Sequence, residues 1–246
     1  MQFLVFLSLD QPIFAKQSNT LAILLHIDTA GEKAFVAITN NNKVLAIAEN
    51  SISNTHAQFV QEAIATICST HCISLTNIDA IVVTMGPGSY TGLRVGLSSA
   101  KGIAYALKKP LIGLSTLSLL ANAAIRTIAI NKEEASQFEI FAMIDARRME
   151  VFGAIFDQNQ KIILNEQAII LDTAYLEHCI AKGPVYCIGS GVTKTKDLLA
   201  NSKLHFIDSH YEIQDFIALA IEKYKNLSFE NLAYSSPNYI KDFYMK

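Results

Sequence analysis

The chain has 246 residues, of which 51% are apolar and 17% charged, with 11 Gly and 5 Pro. That composition excludes the disordered, collagen-like and disulfide-stapled classes and supplies core for one large domain or two small ones. Twenty Lys and Arg against 22 Asp and Glu leave a net charge of −2 and a pI near 6.3. Such a balance excludes a protein that grips nucleic acid unaided by neutralising phosphates, so any role with RNA calls for a partner.

From the start of the chain, residues 3–7 (Phe-Leu-Val-Phe-Leu) resemble the apolar core of a signal peptide. No basic residue precedes them, and Asp10 and Pro12 follow too soon, so residues 1–20 read as an extension ahead of the first strand. No apolar run reaches the roughly 20 residues of a membrane-spanning helix; residues 21–27 contain His26 and end at Asp28. The expected location is cytoplasmic, with no membrane partner. Cys68, Cys72, Cys179 and Cys187 form no C-x-x-C pair, which points to free thiols in a reducing compartment and away from a metal or redox site. Cys68 shares an apolar helical face with Ile64 and reads as packing.

A repeat spans the rest of the chain. Residues 27–38 lie over residues 144–155 without a gap, so that Asp28 falls on Asp145 and Phe35 on Phe152. Each copy predicts an apolar strand ending in Asp (21–28; 139–145), a return strand (33–39; 149–156), a polar turn and a third strand (44–49; 162–170). Helices follow, the first opening on a Thr55-x-x-Gln58 capping box and running to Ser69, the second over about 173–182. A buried strand then enters a glycine turn in each: residues 79–84 before Gly86-Pro87-Gly88, and residues 185–188 before Gly189-Ser190-Gly191.

This pattern predicts an α/β chain with a duplicated actin-like (ASKHA, ribonuclease H-like) two-lobe fold, the lobes facing across a cleft. The expected division is an extension (1–20), an N-terminal lobe with dimerisation helices (21–120) and a C-terminal lobe (121–246), the crossover lying between Gly113 and Gln137. Asp28 and Asp145 are the two hairpin acids. A glycine follows Asp28 closely, at Gly31, whereas Asp145 is followed by Ala146-Arg147-Arg148 and no glycine until Gly153, so the second phosphate loop looks absent. Arg147, Arg148 and Glu150 read as solvated charges at a hairpin turn, with ligand contact as the alternative.

The sharpest motif runs from Gly86 through Gly88, Ser89 and Gly92 to Gly96. Glycines before a helix can let N–H groups converge on an anion. Leu93-Arg94 follows Gly92 where a Walker loop needs Lys-Ser/Thr, and Ser89 lies outside Gly-x-Ser-x-Gly, so neither a P-loop nor a nucleophile elbow is present. The predicted helix 91–107 is amphipathic, with a polar stripe at Arg94, Ser98, Lys101, Tyr105 and Lys108. It also carries Gly92, Gly96 and Gly102, each unfavourable by up to ~1 kcal/mol relative to Ala, which calls for a close neighbour. That neighbour is either another element of the same lobe or a second chain.

Residues 85–102, read with Ile27-Asp28-Thr29, His56, Gly113-Leu114-Ser115-Thr116-Leu117, Asp145-Ala146-Arg147-Arg148 and Pro237-Asn238-Tyr239-Ile240-Lys241, resemble the TsaB (YeaZ) family. Its hallmark is Gly-Pro-Gly-Ser-aromatic-Thr-Gly-Leu-Arg-aliphatic-Gly running into Ala-Lys-Gly; Lys241 stands where the family usually has Arg. The resemblance implies a role in making threonylcarbamoyladenosine beside the tRNA anticodon, as a non-catalytic partner that activates the transferase subunit TsaD, with the ATPase TsaE joining the assembly. It also implies a homodimer of the chain alone through the same surface, and contact with tRNA only through the complex. The expected partner face comprises His56, Arg94, Gly96, Ser98, Lys101 and Tyr105.

TsaD-like proteins carry two histidines at i and i+4 to hold a metal on one helical face; here His56 is followed at that spacing by Val60. No catalytic residue, metal site or cofactor is expected, although Asp28, Gly86, Gly88 and Ser89 outline a degenerate nucleotide site. The competing readings are an autonomous actin-like ATPase or small-molecule kinase, and a metallopeptidase, for which His-Glu-x-x-His is absent.

Overall fold

The computed structural model describes residues 5–6, 22–51, 55–131 and 137–241. The extension expected over residues 1–20 lies outside them except for β1 (Val5–Phe6), which pairs antiparallel with β4 (Lys43–Asn50). The chain divides into two compact units, Met1–Leu114 with Phe216–Pro237 and Ser115–Asp215 with Asn238–Lys246.

In the first unit, β2 (Ile23–Asp28), β3 (Ala34–Asn40) and β4 form an antiparallel meander. Asn41 sits at φ 48° in the tight β3–β4 turn, a backbone that asparagine tolerates better than most residues. Helix α1 (His56–Thr70) leads to β5 (Ala80–Gly86), which pairs parallel with β2, and α2 (Tyr90–Leu107) leads to β6 (Leu111–Ser115). The sheet order is β1-β4-β3-β2-β5-β6. Leu25, Ile27, Val36 and Ile38 of the sheet pack with Phe59, Val60, Ile64 and Ile67 of α1 and Leu97, Ala100 and Ala104 of α2.

The second unit repeats the plan. Strands β7 (Glu139–Asp145), β8 (Glu150–Asp157) and β9 (Ile162–Ile170) are an antiparallel meander. Helix α4 (Thr173–Ile180) precedes β10 (Val185–Ile188), and α5 (Val192–Leu198) precedes β11 (Leu204–Ile207). The order β11-β10-β7-β8-β9 matches β6-β5-β2-β3-β4 strand for strand, and β10 is parallel to β7 as β5 is to β2. The fold is therefore the duplicated, actin-like α/β architecture.

Two helices leave their own copy of the repeat. Helix α3 (Thr116–Asn131), which follows β6 in the chain, packs its Leu117, Leu120, Ala121 and Ala124 with Ile140, Ala142 and Ile188 of the second sheet. Helix α6 (Ile213–Lys225) returns to the first unit, where the buried Phe216 ring meets Phe35 edge-on at 4.9 Å and His26 at 6.2 Å. At the junction, the fully buried Asp215 accepts from Arg126 Nε and Nη2 at 3.2 and 3.0 Å, from Asn122 Nδ2 and from the backbone N–H of Glu212. Its charge is thus satisfied four ways inside the second unit.

The capping box expected at Thr55 does not form. Thr55 has φ −115° and ψ 9°, its hydroxyl accepts from Asn50 Nδ2 at 2.8 Å, and Gln58 donates to Glu62 instead of reaching back. The cysteines are unpaired, and burial pushes the Cys187 thiol up to about 12 and Cys179 up to about 11, which keeps both protonated.

His26 is fully buried on β2, with Nε2 bonded to Thr39 Oγ1 at 2.8 Å and Nδ1 without a hydrogen-bond partner. Burial lowers its imidazole to about 3, so below about pH 6.5 the unfolded chain takes up a proton that the folded chain refuses. Stability is accordingly full above about pH 6.5 and falls on acidification, by roughly 1.4 kcal/mol per pH unit from this group. Denaturant melts at pH 6.5 and pH 5 should differ by about 2 kcal/mol more in the wild type than in His26→Gln.

Candidate functional site

Strand β5 delivers Gly86 at φ 115° to the turn before α2, and Ser89 caps that helix, its Oγ accepting from Gly92 N–H at 3.3 Å. The tip of the β2–β3 hairpin lies against the same helix end. Ser89 N–H donates to Ala30 O at 2.7 Å, and Thr29 Oγ1 donates to Gly92 O at 2.6 Å. A Cβ at Gly92 would overlap the Thr29 carbonyl, and one at Gly96 would overlap the Thr29 hydroxyl. The close neighbour that these two glycines call for is therefore Thr29 of their own unit.

Asp28 is 2% exposed, and its Oδ1 accepts from Thr84 Oγ1 at 2.6 Å and from Ala30 N–H at 3.0 Å. His56, 5% exposed, places Nε2 3.3 Å from the carbonyl of Gly31. The structure thus brings Asp28, Gly86, Gly88, Ser89, His56 and Gly96 to one place. What occupies the mouth of the glycine turn is the chain's own hairpin. A phosphate arriving there would have to displace the Ala30 carbonyl from Ser89 N–H, and the Asp28 carboxylate is already committed to Thr84 and the hairpin backbone. Among the described residues no three His, Cys, Asp or Glu side chains converge as metal ligands would.

The outer face of α2 carries the others. The Arg94 guanidinium stacks 4.1 Å above the Tyr90 ring, Ser98 is exposed, and Tyr105 is 78% exposed. Lys101 Nζ donates to the carbonyls of Ala233 and Ser235 at 3.3 and 2.9 Å, clamping the segment after α6. A groove between α1 and α2 is lined by Ala57, Gln61, Arg94, Val95, Ser98 and Ser99. Gly102 borders open space. Of the expected partner face, Arg94, Ser98 and Tyr105 look outward, whereas His56 and Gly96 look inward. Gly96 recurs with Leu93, Leu97, Ala100 and Ala104 on the buried face, and that spacing is the signal that places it. Thr29 lies in the Ile27-Asp28-Thr29 stretch of the resemblance with no role assigned to it there, and Thr84 carries no motif.

In the second unit, Asp145 accepts from Lys194 Nζ at 2.8 Å and from Arg147 N–H at 2.6 Å, and the Lys194 hydrogen bond holds its carboxyl below the usual range. Lys194 also donates to the Glu150 carbonyl, and Lys241 Nζ meets the Glu150 carboxylate at 2.6 Å. Arg147 and Arg148 are both exposed and both left-handed, at φ 68° and 48°, a backbone disfavoured by roughly 1–2 kcal/mol for such residues.

The two helical glycines predict opposite outcomes. Gly96→Leu should destabilise the protein by about 1–3 kcal/mol in urea melts, because the side chain meets Thr29, whereas Gly102→Ala should stabilise it by about 0.5–1 kcal/mol.

Residues 43–245 match the family model described as TsaD: tRNA N6-adenosine threonylcarbamoyltransferase. The chain is 29% identical over 226 residues to the tRNA threonylcarbamoyladenosine biosynthesis protein TsaB of Escherichia coli K12, covering 89% of this chain and 94% of that one. It is 25% identical over 181 residues to TsaB of Bacillus subtilis 168, covering 72% and 74% respectively. Among solved structures, YeaZ from Pseudomonas aeruginosa superposes with a TM-score of 0.72 at 22% identity, over 89% of this chain and all of that one, and shares its fold. The chain belongs to the TsaD-related family of that model, and within it to the TsaB (YeaZ) family of tRNA threonylcarbamoyladenosine biosynthesis proteins.

Proposed function

We propose that this chain is the non-catalytic subunit of the complex that makes threonylcarbamoyladenosine beside the tRNA anticodon, pairing with and activating a TsaD-type transferase in the cytoplasm. A TsaE-type ATPase joins the assembly, and tRNA is held by the complex as a whole. The observation that carries the reading is the seating of Thr29 and Ala30 on the start of α2, where a phosphate-binding member of the fold would receive nucleotide. Val60, in place of a second histidine one turn after His56, supports the same division of labour.

The partner face we assign is the exposed side of α1 and α2. Its groove is lined by small and lightly polar side chains, and Gly102 leaves the backbone of α2 uncovered where a facing helix can approach closely. Arg94 and Tyr105 frame that face, an Arg and a Tyr of the kind enriched at the centres of interfaces. The same face serves a homodimer when the partner is absent.

Sedimentation of the chain alone and mixed with its host's TsaD, followed by tRNA modification with each component omitted, tests the reading. A mixed complex whose activity vanishes without this chain is expected; ATP turnover by the pure chain with no association would make it an autonomous ATPase instead. Gly102→Leu should weaken the association at least ~10-fold while urea melts stay within about 1 kcal/mol of wild type.

A further inference from the structure

The β7–β8 hairpin of the second unit turns through Arg147 and Arg148, two successive residues at positive φ where glycine or asparagine would be less strained. The tip is pinned. Ala146 N–H donates to Glu150 O at 3.1 Å, Glu150 N–H to Arg147 O at 3.2 Å, and Arg147 N–H to Asp145 Oδ1. Asp145 N–H in turn donates to Ser190 Oγ at 3.0 Å, fixing the hairpin to the glycine turn after β10.

Charge at this tip is arranged, not merely present. The carboxylates on either side, Asp145 and Glu150, are paired with Lys194 and Lys241. Those pairs cancel, so what remains uncompensated is the two guanidiniums, which are exposed and have no acidic partner among the described residues. In a chain of net charge −2 this is a local concentration of positive charge on a turn whose backbone is pinned. Guanidinium forks match the oxygens of a phosphate two at a time, and the backbone strain is accounted for if the arginines themselves are what the turn must present.

We propose that Arg147 and Arg148 form a phosphate contact that this chain contributes to RNA, taken by adjacent phosphodiester groups. The identification of the anion as RNA rests on the proposed role in tRNA modification. The site needs no base recognition, since phosphate contacts set position and register and leave sequence to be read elsewhere. It belongs to the second unit, whereas the glycine turn, where Ser89 N–H donates to the Ala30 carbonyl, belongs to the first.

The test uses two paired variants. Arg147→Gly with Arg148→Gly removes both guanidiniums and relieves the positive-φ backbone, so its thermal stability should equal or exceed that of wild type. Arg147→Lys with Arg148→Lys keeps the charge. Binding of an unmodified tRNA transcript is measured against salt, with the chain alone and mixed with its TsaD partner; ATP and inorganic phosphate are titrated in parallel. The expected result is about 10-fold weaker tRNA binding in the glycine pair, with the salt slope reduced by about 2, and partial recovery in the lysine pair. Equal tRNA affinity of wild type and glycine pair in both settings overturns the proposal, and so does a loss confined to ATP or phosphate, which would make the tip a free-nucleotide site. Sedimentation of the same samples separates the two readings: failure of the wild type to associate with TsaD sinks the proposed function, whereas intact association with unchanged tRNA affinity sinks this site alone.

Discussion

The first unit depends on the contact between the β2–β3 hairpin tip and the beginning of α2. Through it the Thr29 hydroxyl reaches the Gly92 carbonyl, the Ala30 carbonyl receives Ser89 N–H, and Gly92 and Gly96 are required because Thr29 occupies the space of their side chains. Asp28 and Thr84 brace the same tip from the strand ends. A helix N-terminus leaves its first N–H groups unsatisfied, and in this fold they are available to a ligand or to the chain itself. Here Ser89 Oγ takes the Gly92 N–H and the Ala30 carbonyl takes the N–H of Ser89 itself. The glycine-rich stretch that resembles a phosphate cradle in one dimension serves in three as the seat of a hairpin.

The contact divides α2 into two faces. Its inner face, Leu93, Gly96, Leu97, Ala100 and Ala104, is committed to the core, and its outer face, Arg94, Ser98, Gly102 and Tyr105, is exposed. The two faces are interleaved at helical spacing, so a substitution must be assigned to one of them before its effect on association means anything. Lys101 lies between, reaching back to tie down the segment after α6.

The second unit repeats the strand order with different chemistry at its hairpin. Asp145 corresponds to Asp28, yet it is exposed and paired with Lys194, whereas Asp28 is buried and bonded to Thr84 and the hairpin backbone. With no glycine near the turn, the tip is built from arginines at positive φ and presents charge to solvent. Duplication preserved the scaffold, and the two hairpin tips diverged: one folds inward against its own helix, the other points its side chains away.

The sequence by itself determined the duplication, the order of elements in each copy as far as the glycine turn and the helix after it, and the family. Apolar runs of period 2 and 3.6 and an ungapped overlay of residues 27–38 on 144–155 depend only on local spacing. It also foretold close packing at Gly92 and Gly96, whereas Gly102, read the same way, borders open space. Tertiary structure decided what fills the space beside the first two, because the contact joins Thr29 to Gly92 and Gly96, more than sixty residues away, through a backbone carbonyl and one hydroxyl that no local spacing pairs with those glycines. It decided the fate of Thr55 as well, whose hydroxyl went to Asn50 and not to a capping box. And it decided that α3 packs on the second sheet and α6 returns to the first, since an amphipathic helix records that it must bury a face and not which sheet will cover it.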